Sequence, residues 1–379
     1  MSNIFRFSRR KFLGQGSGLV AGVFLSGKGI TAQVTAGVPG ELPTRLNDAL
    51  PNHYQGLEQV AKDFQQRVNA SAATLAVSRH GKLLHTFGCG TRDQAGKIPV
   101  AGDDLFRIAS ITKPLTHALL TELFAVKVLS PRDLVMAKLP PDLAGIAPAD
   151  KRWEQITLDM LIRHTGGWDR DQTEDPMFAG EKIRRELKLT DEPTPREVVR
   201  YMLGQPLQFT PGERTAYSNF GYCLLGRVIE AATGGTYWQA LEKYLLTPHR
   251  ISSVALSRSD PQRRPPREVE YPPAADGLTM ELFDAHGGLS ASAPALCAVF
   301  SNYWISGQRR QPADDPQDWI FFGSLPGTTA VVRQSQNWDL ALLFNNRRDE
   351  RIDADMQSLQ AELDRAIDQF APPDQAEGP

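Results

Sequence analysis

The segment FRIASITKPLT, residues 106–116, decides how the rest of this sequence is interpreted. The residues from 112 to 126 are mostly apolar and predict a helix, whose first turn tolerates Pro114. Ser110 and Lys113 then lie one helical turn apart, on one face of the start of that helix. A hydroxyl held against a basic amine is a nucleophile that needs no histidine. The segment predicts a serine acyl hydrolase.

The start of a helix suits both members of this pair. The positive end of the helix dipole and burial both disfavour a charged ammonium group, which favours Lys113 as a neutral base. Unpaired backbone N–H groups at the same end allow the amide of Ser110 to donate to an oxyanion. The spacing has a plain alternative, a capping serine followed by a surface lysine, and it occurs again at Ser8 and Lys11. The segments around it must therefore decide.

Downstream segments supply that context, because together they resemble the β-lactamase and penicillin-binding-protein superfamily. Residues 106–116 are similar to its active-site segment, in the branch of class C β-lactamases, D-alanyl-D-alanine carboxypeptidases and related esterases. Residues 158–167 resemble its turn ending in His-Thr-Ser-Gly, and residues 211–222 resemble its Tyr-x-Asn loop. Residues 287–292 resemble the segment that leads back to the sheet. The similarity follows the family's order from about residue 75 to residue 344.

The resemblance implies roles for two further residues. Tyr217 matches the family's catalytic tyrosine, whose phenol passes protons between Ser110, the leaving group and water. Asn219 is expected to hydrogen-bond Lys113 and a substrate carbonyl. The plain alternative for both is the chemistry of an ordinary turn. His164, in a glycine-containing turn, is interpreted as a hydrogen-bonded structural histidine rather than a catalytic one.

The family's third motif, Lys-Thr-Gly or His-x-Gly on the strand beside the site, is where this sequence departs. The matching residues are Phe321-Phe322-Gly323, followed by Ser324, so an aromatic ring replaces the cation or imidazole. Gly323 still permits close approach of a substrate backbone, and the N–H of Ser324 still matches the second oxyanion donor. A substrate carboxylate loses its partner at Phe321. This favours an apolar or uncharged acyl substrate.

Two other residues are candidates for the positive charge that the third motif lacks. Arg333, on a predicted C-terminal strand, is a candidate from another direction, and His286 is interpreted as a decoy for the third motif because it precedes the strand. The sequence contains no cluster with metal-ligand spacing, no glycine-rich phosphate loop and no Gly-x-Ser-x-Gly elbow. Neither a metal nor a cofactor is therefore implied.

The fold prediction places strands at both ends of the chain and helices between them. Residues 74–78 and 82–87 predict one hairpin, and residues 329–334 and 338–344 predict another. Pattern and resemblance together imply an α+β, β-lactamase/transpeptidase-like fold. Its antiparallel sheet is built from both chain ends and flanked by helices, and a helical lobe is inserted.

A single domain is expected over residues 45–371. Its sheet lobe comprises residues 45–115 and 285–371, and its helical lobe comprises residues 116–284, with the clearest helix at 222–232. An amphipathic helix is predicted over 57–68, and a last helix carries the apolar stripe Met356, Leu359, Leu363, Ile367 and Phe370. Residues 258–273 are predicted to form an exposed loop and residues 372–379 a disordered tail.

The first 36 residues predict export rather than structure. Arg9 and Arg10 resemble the twin-arginine motif, a short glycine-rich apolar stretch follows, and Ala36 offers a cleavage site (or else Ala32). We therefore expect a periplasmic or secreted protein with no stable membrane span after signal removal. The net charge of −2 includes five uncompensated basic residues in this segment, so the remainder is more acidic. This gives no support for nucleic-acid binding, and no nucleic-acid partner is expected. The three cysteines do not form a disulfide framework, although one bridge remains open.

The sequence thus predicts an exported hydrolase that acts on a small ester, amide or peptide through an acyl-enzyme on Ser110. Lys113 and Tyr217 supply the base, and the amides of Ser110 and Ser324 hold the oxyanion. An esterase is favoured within this class, ahead of a D-amino-acid peptidase or carboxypeptidase and a β-lactamase. The alternative from another class is a non-hydrolytic protein that binds or senses the cell wall.

Overall fold

The computed structural model describes residues 54–311 and 318–370; the predicted signal peptide, the start of the domain at residue 45 and the tail at 372–379 lie outside these ranges. The strands, in chain order, are β1 (Ala72–Arg79), β2 (Lys82–Gly90), β3 (Phe106–Arg107), β4 (Val254–Leu256), β5 (Leu289–Ala291), β6 (Trp319–Leu325), β7 (Thr328–Gln334) and β8 (Trp338–Phe344). The helices are α1 (Gln55–Arg67), α2 (Thr112–Ala125), α3 (Val135–Lys138), α4 (Pro141–Ala144), α5 (Leu158–Ile162), α6 (Gly180–Glu186), α7 (Pro195–Leu203), α8 (Asn219–Thr233), α9 (Tyr237–Leu241), α10 (Ala293–Asn302) and α11 (Ile352–Phe370).

A five-stranded antiparallel sheet joins the two ends of the described chain, as the sequence predicts. Its strand order is β2-β1-β8-β7-β6, and both predicted hairpins, β1–β2 and β7–β8, are confirmed. His80 and Gly81 connect the first pair with φ values of 48° and 75°, the conformation that matches the twist of a two-residue hairpin. β1 also pairs with β8, with Ala76 opposite Ala341. The first and last thirds of the chain therefore share one sheet.

Helices cover both faces of this sheet, so its central strands are buried on both sides. Successive residues of a strand point to opposite faces. On one face Leu75 packs with Phe64 of α1 and Leu363 of α11, whereas Ala76 faces the core of the helical part of the chain. Seven of the eight residues of β1 are buried as a result.

The helical part of the chain is organised around α2 and α8. Ten of the fourteen residues of α2 are buried, and so are eleven of the fifteen in α8, because other helices pack against both of them. The predicted helix over 222–232 lies within α8, which ends at Gly234 in the left-handed conformation, with φ of 72°. The two helices contact each other directly. Their N-terminal ends carry the two motifs that the sequence singles out.

A second, three-stranded sheet of order β3-β5-β4 was not predicted. β3 has two residues and β5 and β4 have three each, which is too short for an alternating pattern to be read from sequence. This small sheet nevertheless sets the position of the active-site segment, because β3 leads directly into it.

The prediction of an exposed loop over residues 258–273 is wrong for its second half. Val269 is fully buried, and so is the side chain of Glu268, which lies 3.8 Å from Arg107. The guanidinium of Arg107 also stacks on the ring of Tyr271, at 4.1 Å from its centroid. Charged residues in this segment suggested solvent, but a partner from β3 makes their burial tolerable.

Two further expectations from the sequence concern a disulfide bridge and membrane-spanning helices. The bridge that the sequence left open is not formed, since Cys89, Cys223 and Cys297 are all free thiols. Across the described ranges, the structure contains no helix with both the length and the apolar character needed to cross a membrane.

Candidate active site

Ser110 lies in a single turn of 3-10 helix that connects β3 to α2. The small sheet anchors this turn, because the N–H of Ile108 donates to the carbonyl of Leu289 at 3.0 Å. Ala109 has a φ of 46°, a left-handed conformation that a residue other than glycine adopts only when its surroundings impose it. The turn holds the half-buried Ser110 where the sheet meets the helices.

Three side chains that the sequence predicts as catalytic meet at this turn. The Oγ of Ser110 lies 3.2 Å from the Nζ of Lys113 and accepts a hydrogen bond from the OH of Tyr217 at 2.8 Å. Lys113 comes from the first turn of α2, and Tyr217 comes from the segment just before α8. A hydroxyl in contact with both an amine and a phenol can exchange protons with either.

Lys113 is a buried amine, with only 2% of its surface exposed. Its burial and, to a lesser extent, the charge of Arg170 hold the pKa of Lys113 well below the ordinary value, while Asp175 opposes them. The Nζ also donates to the carbonyl of His286 at 2.7 Å. This second contact fixes the amine beside Ser110, where its neutral form can act as a base.

Tyr217 is surrounded by rings and cations. The Nζ of Lys113 lies 4.9 Å from the centroid of its ring, and the guanidinium carbon of Arg170 lies 4.5 Å from it. The ring of His164 packs at 4.7 Å, and its Nδ1 accepts a hydrogen bond from the N–H of Ser218 at 3.2 Å. Ser218 in turn caps α8. His164 thus contacts the neighbours of Tyr217, in agreement with the structural role expected of it.

Asn219 does not make the contact that the sequence predicts. Its Nδ2 donates to the Oδ2 of Asp175 at 2.7 Å, whereas the hydrogen bonds of the Lys113 amine go to Ser110 and to His286. The first turn of α8 points the amide toward the 168–178 segment, because Asp175 caps the short helix there and presents its free oxygen. Asn219 therefore ties this segment to the site, and its expected contact with a substrate carbonyl stays a prediction.

β6 forms the opposite wall of the site, and Gly323 is its point of closest approach. A Cβ on this glycine would lie 2.2 Å from the carbonyl oxygen of Ile108 and 3.2 Å from the backbone nitrogen of Ser110. A residue with any side chain could not be placed there without moving the strand. The requirement for glycine at this position therefore comes from the protein's own backbone.

The pleat of β6 sends its neighbours to different faces. Phe321 packs on the core of the helical part, on the face that Gly323 shares. The Oγ of Ser324 lies on the other face and accepts a hydrogen bond from Arg347 at 2.9 Å, so only its backbone is available for the predicted oxyanion role. Arg333 also lies on that other face, in ion pairs with Asp318 and Asp364. The suggestion that Arg333 supplies the missing charge is wrong.

Three groups at the site were not found from the sequence. The carbonyl of His286 holds Lys113, although the residue was interpreted as a decoy, and a backbone contact leaves no signal in the residue type. Arg170 and Asp175 follow the recognised turn at 158–167, but no motif marks them. Their charges in a segment close to that turn were the available signal.

Known proteins of similar sequence and fold bear on the family of this chain. The sequence model of the family named Beta-lactamase matches residues 57–352. Among curated proteins, a putative fimbrial assembly protein, FimD of serogroup D from Dichelobacter nodosus, is 31% identical over 240 residues, covering 60% of this chain and 56% of its own. The esterase EstB of Burkholderia gladioli is 28% identical over 232 residues, covering 59% of this chain and 57% of its own. The chain thus spans little more than half the length of these relatives.

Solved structures resemble this one at low sequence identity. The D-amino acid amidase of Ochrobactrum anthropi SV3 has a TM-score of 0.63 at 19% identity, covering 84% of this chain and 98% of its own. An octameric penicillin-binding protein homologue from Pyrococcus abyssi has a TM-score of 0.61 at 18% identity, covering 81% and 77%. At these identities the likeness concerns the fold alone.

Proposed function

This chain belongs to the beta-lactamase family, and from that premise we propose that it is an exported serine hydrolase that cleaves an ester or amide. The observation that carries the proposal is the position of the Ser110 Oγ, 3.2 Å from the Nζ of Lys113 and 2.8 Å from the OH of Tyr217. These contacts supply both the base and the proton carrier that a serine nucleophile requires.

Acylation follows from this arrangement. Ser110 attacks the substrate carbonyl while its proton passes to the neutral amine of Lys113, directly or through Tyr217. The negative charge that develops on the carbonyl oxygen is held by the N–H of Ser110 and that of Ser324, across the gap that Gly323 keeps narrow. When the bond to the leaving group breaks, Tyr217 returns the proton to that group. The products are an acyl ester on Ser110 and a free alcohol or amine.

Deacylation runs the same proton path in reverse. Water attacks the acyl carbonyl, gives its proton to Tyr217 and Lys113, and displaces the Oγ of Ser110, which is then protonated again. The acid product leaves, and the enzyme returns to its starting state.

An ester with an apolar acyl group is the favoured substrate. Phe321 lies beside Gly323 on the site face and offers an apolar surface rather than a charge. The esterase EstB is one of the relatives. A D-amino-acid amide or peptide is the second candidate within the same reaction class, since a structural neighbour is a D-amino acid amidase.

The proposed chemistry is tested by labelling the purified protein with a fluorophosphonate probe and locating the adduct by peptide mass spectrometry. Modification of Ser110, lost in Ser110→Ala, is expected. Ser8 has the same spacing to a lysine, so an adduct elsewhere, or labelling that survives in Ser110→Ala, would contradict the proposal.

The substrate class is tested with a short p-nitrophenyl ester, a D-Ala-D-Ala peptide, a D-amino-acid amide and nitrocefin. Fastest turnover is expected with the ester. The non-hydrolytic alternative gains its support from the absent third-motif cation, and it predicts a persistent acyl adduct with no released product.

We also propose export by the twin-arginine pathway, on the basis of Arg9 and Arg10. Cell fractionation of the full chain is expected to recover a shortened protein outside the cytoplasm. The twin substitution of both arginines by lysine should retain the protein in the cytoplasm at full length.

A further inference from the structure

Arg170 is an unusually placed cation. Its guanidinium carbon lies 4.5 Å from the centroid of the Tyr217 ring, which is the arrangement of a cation–π contact. Its side chain is only 11% exposed, so water weakens its field less than it does at an open surface. A fixed positive charge therefore lies directly against a proposed proton carrier.

Asp175, the ion-pair partner of Arg170, does not hydrogen-bond to its guanidinium. The Nη1 lies 3.7 Å from the Oδ2 of Asp175, beyond hydrogen-bond distance. The same oxygen accepts a hydrogen bond from Asn219 at 2.7 Å, and the Oδ1 of Asp175 accepts one from the N–H of Met177. Within residues 54–311 and 318–370, Arg170 itself donates no hydrogen bond. Asp175 thus positions the guanidinium while its hydrogen bonds go elsewhere.

Arg170 supplies the positive charge that β6 does not. On the β6 side of the site Phe321 carries no charge, whereas Arg170 approaches the ring of Tyr217 from the 168–178 segment. A positive charge there repels a proton from Lys113 and stabilises negative charge on Tyr217 when the proton moves. Both effects help Ser110 to lose its proton.

We propose that Arg170 is a positioning residue of this site, which keeps Lys113 free of its proton and assists proton transfer through Tyr217. The inference rests on the proposed serine hydrolase function. It makes the 168–178 segment, rather than the third-motif strand, the source of the positive field. The lowered pKa of Lys113, to which Arg170 contributes after burial, agrees with it.

Other titratable groups face the same pair and must be separated from Arg170. His164, after α5, packs on the Tyr217 ring at 4.7 Å, and Tyr222, in α8, has its ring 5.8 Å from the Lys113 amine. Burial holds the pKa of His286, before β5, well below the ordinary range, so it contributes no charge. Asp175 opposes Arg170. Of these, His164 is the imidazole in contact with the Tyr217 ring, so a variant of it serves as a control.

The test compares Arg170→Met, which keeps length without charge, with Arg170→Lys, which keeps charge. The second-order rate of Ser110 labelling is measured against pH for each. We expect the acidic limb of the profile to shift to higher pH by about one pH unit in Arg170→Met. This shift corresponds to the loss of one nearby charge at an effective dielectric constant of about 20, an effect that Asp175 partly offsets. Labelling on that limb would fall about tenfold. Arg170→Lys should recover most of the shift.

The comparison of the Arg170 variants has two controls. Arg214→Met removes another cation that stacks on a ring, that of Phe209 at 4.2 Å, and pairs with Asp169; its profile should be unchanged. His164→Gln should retain the wild-type limb. An unshifted limb in Arg170→Met, or equal losses in the Met and Lys variants, would show that Arg170 only packs.

A second readout separates this inference from the proposed function. The 13C signal of the Lys113 side chain, assigned with Lys113→Met, is titrated by NMR in the wild type and in Arg170→Met. A higher pKa in the variant supports the inference even if Ser110 is never labelled, and an identical pKa overturns it. Absence of labelling in the wild type would overturn the hydrolase proposal alone.

Discussion

Replacing Gly323 by alanine tests whether β6 is the second half of the oxyanion site. The added Cβ would lie 2.2 Å from the carbonyl oxygen of Ile108, and real Cβ atoms essentially never come within 3.0 Å of such an atom. The strand and the Ser110 turn must therefore separate by roughly 0.8 Å or more. Oxyanion donors act at about 2.7–3.1 Å, so a displacement of this size removes one of them.

The expected loss follows from that displacement. Removal of one oxyanion donor costs about 10²–10³ in kcat, or about 2.7–4 kcal/mol of transition-state stabilisation. Gly323→Ala should therefore lower kcat for a p-nitrophenyl ester at least about 100-fold, while Ser110, Lys113 and Tyr217 stay in place. The crowding should also cost about 1–3 kcal/mol of folding free energy, measured by urea denaturation.

Gly277→Ala is the matched control, because a Cβ there would have nothing within 4 Å. Its kcat and unfolding free energy should equal those of the wild type. If folded Gly323→Ala keeps kcat within about threefold of the wild type, the amide of Ser324 is not an oxyanion donor.

Three further predictions concern other parts of the chain. Tyr217→Phe removes the proton carrier and should lower the rate of Ser110 labelling about 10²–10⁴-fold with unchanged circular dichroism; a smaller loss would assign proton transfer to Lys113 alone. Burial raises the pKa of Asp339 to about 6. The folded state therefore holds a proton that the unfolded state releases, and this group's contribution to stability falls by about 2 kcal/mol as pH rises from about 4 to 6. In urea titrations at both pH values, Asp339→Asn should lack that decline, and parallel curves for the two proteins would contradict the assignment. Phe321→Lys should raise turnover of a D-Ala-D-Ala peptide relative to a neutral ester, and an unchanged ratio would mean that the strand does not select substrates by charge.

Local sequence patterns predicted much of the fold. The hairpins and α2 were found because each is encoded by neighbouring residues, through alternation, turn residues and helical spacing. The meeting of Ser110, Lys113 and Tyr217 could be predicted because motifs in a family's order carry information that a single spacing does not, and their catalytic roles stay a prediction.

What the sequence could not predict depends on strand faces and on distant partners. Arg333 was a candidate for the site until the register of β6 and β7 placed Phe321 opposite Val332 and so sent Arg333 to the other face. Asn219 was assigned to Lys113, but a carboxylate 44 positions earlier takes its hydrogen bond. A change of one residue in register reverses the face of a side chain, and no local pattern specifies that register.

The pairing of β1 with β8 also has a consequence for the order in which the molecule becomes active. The nucleophile turn is made early in synthesis, but Gly323 and its strand belong to the last part of the sheet. These contacts join residues far apart in the chain, and such contacts form late in folding. A partly synthesised chain therefore carries Ser110, Lys113 and even Tyr217 without the strand that completes the oxyanion site. The proposed hydrolytic activity is therefore expected to appear only after β6 has docked beside the Ser110 turn.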